Sequence, residues 1–69
     1  MITKIKNVAA NKGGVRIAKL RNLQHQAGRL VAHEQTVDLS AEFTPEELQQ
    51  AQMEIQRCIT RGWLVEINE

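Results

Sequence analysis

Sixty-nine residues make one domain, 1–69, and a chain this short buries only about 60% of the surface its unfolded form exposes, so its own core is marginal. Its single cysteine, Cys58, excludes an internal disulfide, and no apolar run approaches the roughly 20 residues of a membrane span. The net charge of +1 hides a division: residues 1–33 hold Lys4, Lys6, Lys12, Arg16, Lys19, Arg21 and Arg29 with no acid, whereas 34–69 hold all eight acids against Arg57 and Arg61.

Such polarity suits head-to-tail contact between copies, an anionic partner on the basic half, or neutralisation of one half by the other within a single fold. The opening Met1-Ile2-Thr3-Lys4-Ile5-Lys6 lacks the apolar stretch and small-residue cleavage site of a signal peptide, so a soluble intracellular protein is expected. With neither a disulfide nor a metal motif to supplement a small core, association with other subunits is the expected stabiliser.

In chain order, Thr3 to Val8 reads as a strand anchored by Ile5 and Val8. Asn11-Lys12-Gly13-Gly14 is a turn cluster, and Val15 to Leu20 follows as a second strand, which predicts a hairpin. Asn22 to Gly28 is polar and reads as a loop. Leu30-Val31-Ala32 and Thr36-Val37-Asp38-Leu39 read as two further strands around a turn at His33-Glu34.

The helix start at Phe43-Thr44-Pro45-Glu46-Glu47-Leu48 is the sharpest local signal. Thr44 is the expected N-cap and Glu47, three residues on, completes a capping box. Phe43 and Leu48 are spaced as a hydrophobic staple, and Pro45 occupies the first helical position. The helix should run over 45–61, with Leu48, Gln52, Ile55 and Ile59 on one face, Ala51 and Cys58 flanking it, and Gly62 as the C′ residue. Met53 falls opposite that face. A final strand, 63–67, is expected to place Trp63, Val65 and Ile67 on one side and Leu64 and Glu66 on the other. The fold class is therefore α+β: a meander or partly rolled sheet of four or five short strands packed by one C-terminal helix. Phe43, Thr44, Glu47, Leu48, Ile55, Ile59, Gly62 and Trp63 define it.

No arrangement of residues carries recognisable catalysis. Asn11-Lys12-Gly13-Gly14-Val15 resembles the opening of the phosphate-binding loop of ParA-like ATPases. That mechanism also needs a Gly-Lys-Ser/Thr, where Arg16, Ile17 and Ala18 stand instead. His25, His33 and Cys58 match no zinc spacing, and Ser40 and Asp38 have no neighbouring histidine in sequence to activate the hydroxyl. The chain reads as a non-enzyme with no cofactor and no metal. Nucleic-acid binding through the basic half is possible in charge, but that half has no aromatic residue for base stacking.

Three segments carry a family resemblance: Ile5-Lys6-Asn7, Leu30 to Ser40, and Cys58-Ile59-Thr60-Arg61-Gly62-Trp63-Leu64-Val65. They resemble the Ile/Val-x-Asn strand, the Leu-x-Pro-Gly-Glu-x-Val-x-Leu segment and the Leu-Ile-x-x-Gly-x-Leu-x-Val ending of short structural proteins of tailed bacteriophages and prophages. The chain departs from that pattern at Ala32-His33, where Pro-Gly is usual, and in its longer polar stretch 22–28. The resemblance implies a multicopy virion component of capsid surface, neck, tail or baseplate. Such a component is found in the host cytoplasm before assembly, and its partners are other virion proteins and copies of itself. The alternative is a small regulatory module that binds nucleic acid or a host protein through its basic half. Expected partner contacts are Lys12, Arg16, Arg21, His25, Gln26 and Met53; the hairpin around 11–15 and the loop 22–28 are the expected docking segments, and both could gain order on docking.

Overall fold

In a computed structural model that describes residues 1–68, five short strands divide between two antiparallel sheets, with one helix packed across them. Strands β1 (Lys4–Asn7), β4 (Thr36–Asp38) and β5 (Leu64–Glu66) form a sheet in the order β4-β1-β5. Strands β2 (Val15–Ile17) and β3 (Arg29–Val31) form a second, two-stranded sheet. A single 3-10 turn, Leu39–Ala41, follows β4, and helix α1 spans Pro45–Thr60. The α+β class, the single helix and the final strand are as the sequence predicts.

The predicted hairpin between the first two strands does not form. β1 pairs with β4 and β5, and β2 pairs with β3. The cause is Asn7, whose side chain is wholly buried. Its Nδ2 donates to the carbonyls of Gly13 (2.8 Å) and Val31 (3.0 Å), and its Oδ1 accepts from the N–H of Ala9 (2.8 Å). A buried amide must satisfy its donors and its acceptor. The Val31 bond ties the end of β1 to β3 of the other sheet and the other two fix the turn that follows, so the chain crosses between sheets instead of turning back on itself. The turn at His33-Glu34 is present, with the Gln35 N–H donating to the Ala32 carbonyl at 3.0 Å, and it likewise separates strands of different sheets.

β2 stops at Ile17, short of the predicted Leu20. The N–H groups of Ala18 and Lys19 donate to the Glu54 carboxylate, at 3.0 and 2.9 Å, and not to a ladder. The Leu20 N–H closes a turn onto the Ile17 carbonyl, and Leu20 itself enters the core.

Of the two sides that the sequence separates on β5, the one that carries Leu64 faces inward. Pairing places Ile5 opposite Val37 and Glu66, and Asn7 opposite Leu64. Residues paired across a ladder share a face, so the central strand, with Ile5 and Asn7 inward, turns Leu64 into the core and Val65 out to solvent. Trp63 packs on the core's margin and Ile67 is half-buried. On β1, Val8 is exposed and Ile5 alone serves as the apolar anchor.

The helix carries the predicted capping box, the proline in its first turn and the glycine after its C-cap. Thr44 Oγ1 accepts from the Glu47 N–H (3.2 Å) while the Thr44 N–H donates to Glu47 Oε1 (2.8 Å). At the other end Arg61 is the C-cap and Gly62 has φ 81°. The Trp63 and Gly62 N–H groups donate to the Cys58 and Ile59 carbonyls, both at 3.0 Å, which is a Schellman closure. The buried stripe is Leu48, Ala51, Ile55 and Cys58, so Ala51 and Cys58 belong to it while Ile59 is half-buried at its edge. Gln52, also at the edge, clamps the chain start: its side chain accepts from the Ile2 N–H (2.8 Å) and donates to the Ile2 carbonyl (2.9 Å). The helix stripe meets Ile5, Val37 and Leu64 of one sheet and Val15, Ile17 and Val31 of the other, with Leu20, Leu39 and Phe43 completing one cluster.

Candidate functional site

The loop 22–28 is built from its own polar residues. Asn22 Oδ1 accepts from the N–H groups of Gln24 (3.0 Å) and His25 (2.9 Å), the local bonding that asparagine uses to set a turn. Asn22 Nδ2 donates to the Glu42 carbonyl at 3.2 Å, and the Gly28 N–H donates to the His25 carbonyl at 3.1 Å. Gly28 adopts φ 103°, and a Cβ there would lie 2.7 Å from the Ile17 carbonyl oxygen, so only glycine brings the loop's end this close to β2. Arg16 Nη1 then donates to the Gly28 carbonyl at 3.1 Å.

One charged cluster anchors the loop to the turn before α1. Arg29 Nε donates to Glu42 Oε1 at 2.8 Å, and His25 Nε2 lies 3.5 Å from the same oxygen. The His25 ring packs against Phe43, with ring centres 5.9 Å apart. The loop expected to gain order on docking is thus already tied down at Asn22, His25 and Gly28. It frames an open recess of about 360 Å³ walled by Arg16, by the segment Gln24 to Gly28, and by Arg29 and Leu30. At its tip Leu23 is 92% exposed.

The six expected contact residues therefore fall in three places. Arg16, His25 and Gln26 come together around this recess. Arg21 lies beside Lys19 and Gln50 in a second depression. Met53, 67% exposed, lines a third of about 300 Å³ with Gln56, Arg57, Thr60 and Arg61. Lys12 lies near this last group: its Nζ stands 4.3 Å from the Trp63 ring centre, and the Arg61 guanidinium carbon stands 5.0 Å from it. Both fall within the range of cation–π attraction. Sequence reading missed Leu23, the Trp63 platform and the Arg29–Glu42 pair. Leu23 had a signal, a lone large apolar residue inside a polar run; the other two join residues far apart in the chain.

Two groups, Asp38 and Cys58, are shifted from their ordinary proton equilibria by their surroundings. The Ser40 hydroxyl donates to Asp38 Oδ1 at 2.6 Å and the Ser40 N–H to the same oxygen at 3.1 Å. The hydroxyl bond is the larger cause that holds the Asp38 carboxyl below its usual range, with the backbone bond and Lys4 adding to it against a partial desolvation. Asp38 thereby caps the 3-10 turn. Cys58 is buried in the core; desolvation first, then Glu54, push its thiol upward, away from the thiolate form. Among the described residues no three His, Cys, Asp or Glu side chains converge as a metal set, and no helix is long and apolar enough to cross a membrane. Compared with protein-family models, with curated proteins and with solved structures, the chain matches none.

Proposed function

We propose that this chain is a non-enzymatic structural subunit of a tailed-phage particle that works by docking onto neighbouring virion proteins in multiple copies. The observation that carries the docking reading is the loop 22–28. It is held by hydrogen bonds to its own backbone, to β2 and to the turn before α1, yet it holds Leu23 almost fully in solvent beside the recess of Arg16, His25 and Gln26. A loop ordered before binding loses little freedom when it docks, and an apolar tip next to donor and acceptor groups is the usual composition of a contact centre and its rim.

The phage setting rests on the resemblance of three segments. Those segments supply β1, the strands β3 and β4, and the turn from α1 into β5, and β1 is the central strand that β4 and β5 flank. β1, β4 and β5 share one sheet and β3 lies in the other, but the three segments meet in one hydrophobic cluster, which supports reading them as parts of a single structural unit.

The test is quantitative mass spectrometry of gradient-purified, nuclease-treated particles from an induced culture of the source. The expected result is this chain at a fixed stoichiometry of many copies per particle. Absence from particles with abundance in the soluble lysate overturns the reading, and directs attention to nucleic-acid or host-protein binding through the basic residues.

A further inference from the structure

The two ends of α1 carry opposite charge. Glu46 and Glu47 stand in its first turn and Arg57 in its last, with Arg61 as C-cap. Glu47 is engaged by the Thr44 backbone, whereas Glu46, Arg57 and Arg61 make no ion pair among the described residues. From Glu46 to Arg61 the helix rises about 22 Å, in a molecule 29 Å along its longest axis. That separation exceeds the roughly 8 Å over which charges act through physiological salt. The two ends therefore do not neutralise each other within one molecule.

The basic end is also shaped. Met53, Gln56, Arg57, Thr60 and Arg61 line the recess of about 300 Å³, and Arg61 and Lys12 flank Trp63 beside it. The acidic end projects small apolar surface next to its charge, since Ala41, Pro45 and Glu46 are all exposed. We infer that the recess at the C-terminal end of α1 docks the N-terminal turn of α1 from a second copy of this chain. Glu46 of one copy meets Arg57 and Arg61 of the next, and Pro45 meets Met53. Such a contact is head-to-tail, so each copy keeps one free recess and one free acidic end, and successive copies close into a ring or continue as a filament. This deepens the multicopy reading above and rests on it for its setting. It names a self-contact distinct from the Leu23 loop, which is left for other subunits.

The experiment is sedimentation velocity of the purified full chain over a wide concentration range, with the charge-reversed variants E46K and R57E/R61E. Circular dichroism first establishes that each variant keeps its helix. The native chain should associate reversibly beyond its 7.8 kDa monomer, and more weakly as salt is raised. Each variant alone should lose about tenfold or more in association constant, because like charges then face each other. An equimolar mixture of the two should associate again, since the acidic end of R57E/R61E still fits the basic recess of E46K. A native chain that stays monomeric, variants that associate as the native chain does, or a mixture that stays apart would each overturn the contact. If R57E/R61E unfolds, E46K alone decides, its weakened association being the expected result and native-like association the contrary one. Incorporation into particles without self-association would sink this contact and leave the docking reading intact.

Discussion

Among the described residues Asn7 is the one polar side chain buried in the core. Its amide makes three bonds inside the core, to Gly13, Val31 and Ala9, and bridges the two sheets. Asn7→Ala leaves the Val31 carbonyl and the Ala9 N–H buried without that partner, and frees the part-buried Gly13 carbonyl. Unpaired buried groups cost about 1–3 kcal/mol each, against a core that rarely supplies more than about 3–5 kcal/mol at this size. The variant is expected to be largely unfolded at 25 °C, as read by urea titration followed through Trp63 fluorescence. A native-like midpoint would show that water substitutes for the amide. Asp38 gives a second residue-level expectation. Its folded carboxyl lies below the usual range because of Ser40, so its stabilisation is present above the unfolded pKa and lost as pH falls through the folded one. The stability difference between the native chain and Asp38→Asn should therefore shrink as pH is lowered through the carboxylate range. A difference constant from acid to neutral pH would contradict the assignment.

At the scale of elements, α1 is locally determined and the strands are not. The capping box at Thr44 and Glu47 and the Schellman closure at Gly62 need only residues within a few positions of each helix end. Thr44→Ala should cost about 1 kcal/mol, seen as a lowered urea midpoint with unchanged slope; an unchanged midpoint would mean the box adds nothing beyond water. The strands are three or four residues each, too short to select partners by themselves. Their ends are set by side chains from elsewhere, as Glu54 of α1 ends β2 by accepting from Ala18 and Lys19.

For the molecule as a whole, the docking reading separates surface from core. Leu23 is 92% exposed, so Leu23→Asp should change folding stability by no more than about 0.5 kcal/mol, the usual limit for an isolated surface change. The same substitution should abolish incorporation into particles, measured by mass spectrometry of particles from a complemented deletion strain. Normal incorporation of a folded Leu23→Asp chain would move the docking surface away from the loop 22–28. The divided charge is resolved only in part within the molecule. Arg29 of the basic half pairs with Glu42 of the acidic half, while the ends of α1 remain oppositely charged at opposite poles.

The sequence by itself determined the single α+β domain, the bounds and caps of α1, the glycine after it, the loop at 22–28 and the burial of Cys58. Each of these depends on contacts between near neighbours or on a helical period long enough to read. Only the tertiary structure decided which strands pair, which side of β5 faces inward, and which charged residues meet. Trp63, Val65 and Ile67 form the more apolar side of the last strand, yet Leu64 is buried, because an edge strand takes its facing from the central strand it joins. The Asn11–Gly14 cluster signals a turn equally well inside a hairpin or between sheets, and Asn7 selects the second. Arg16, His25 and Gln26 were readable as exposed polar residues, but their shared recess depends on the Gly28 approach to β2. Lys12 meets Trp63 across fifty-one positions of chain, a distance over which local sequence pattern carries no information.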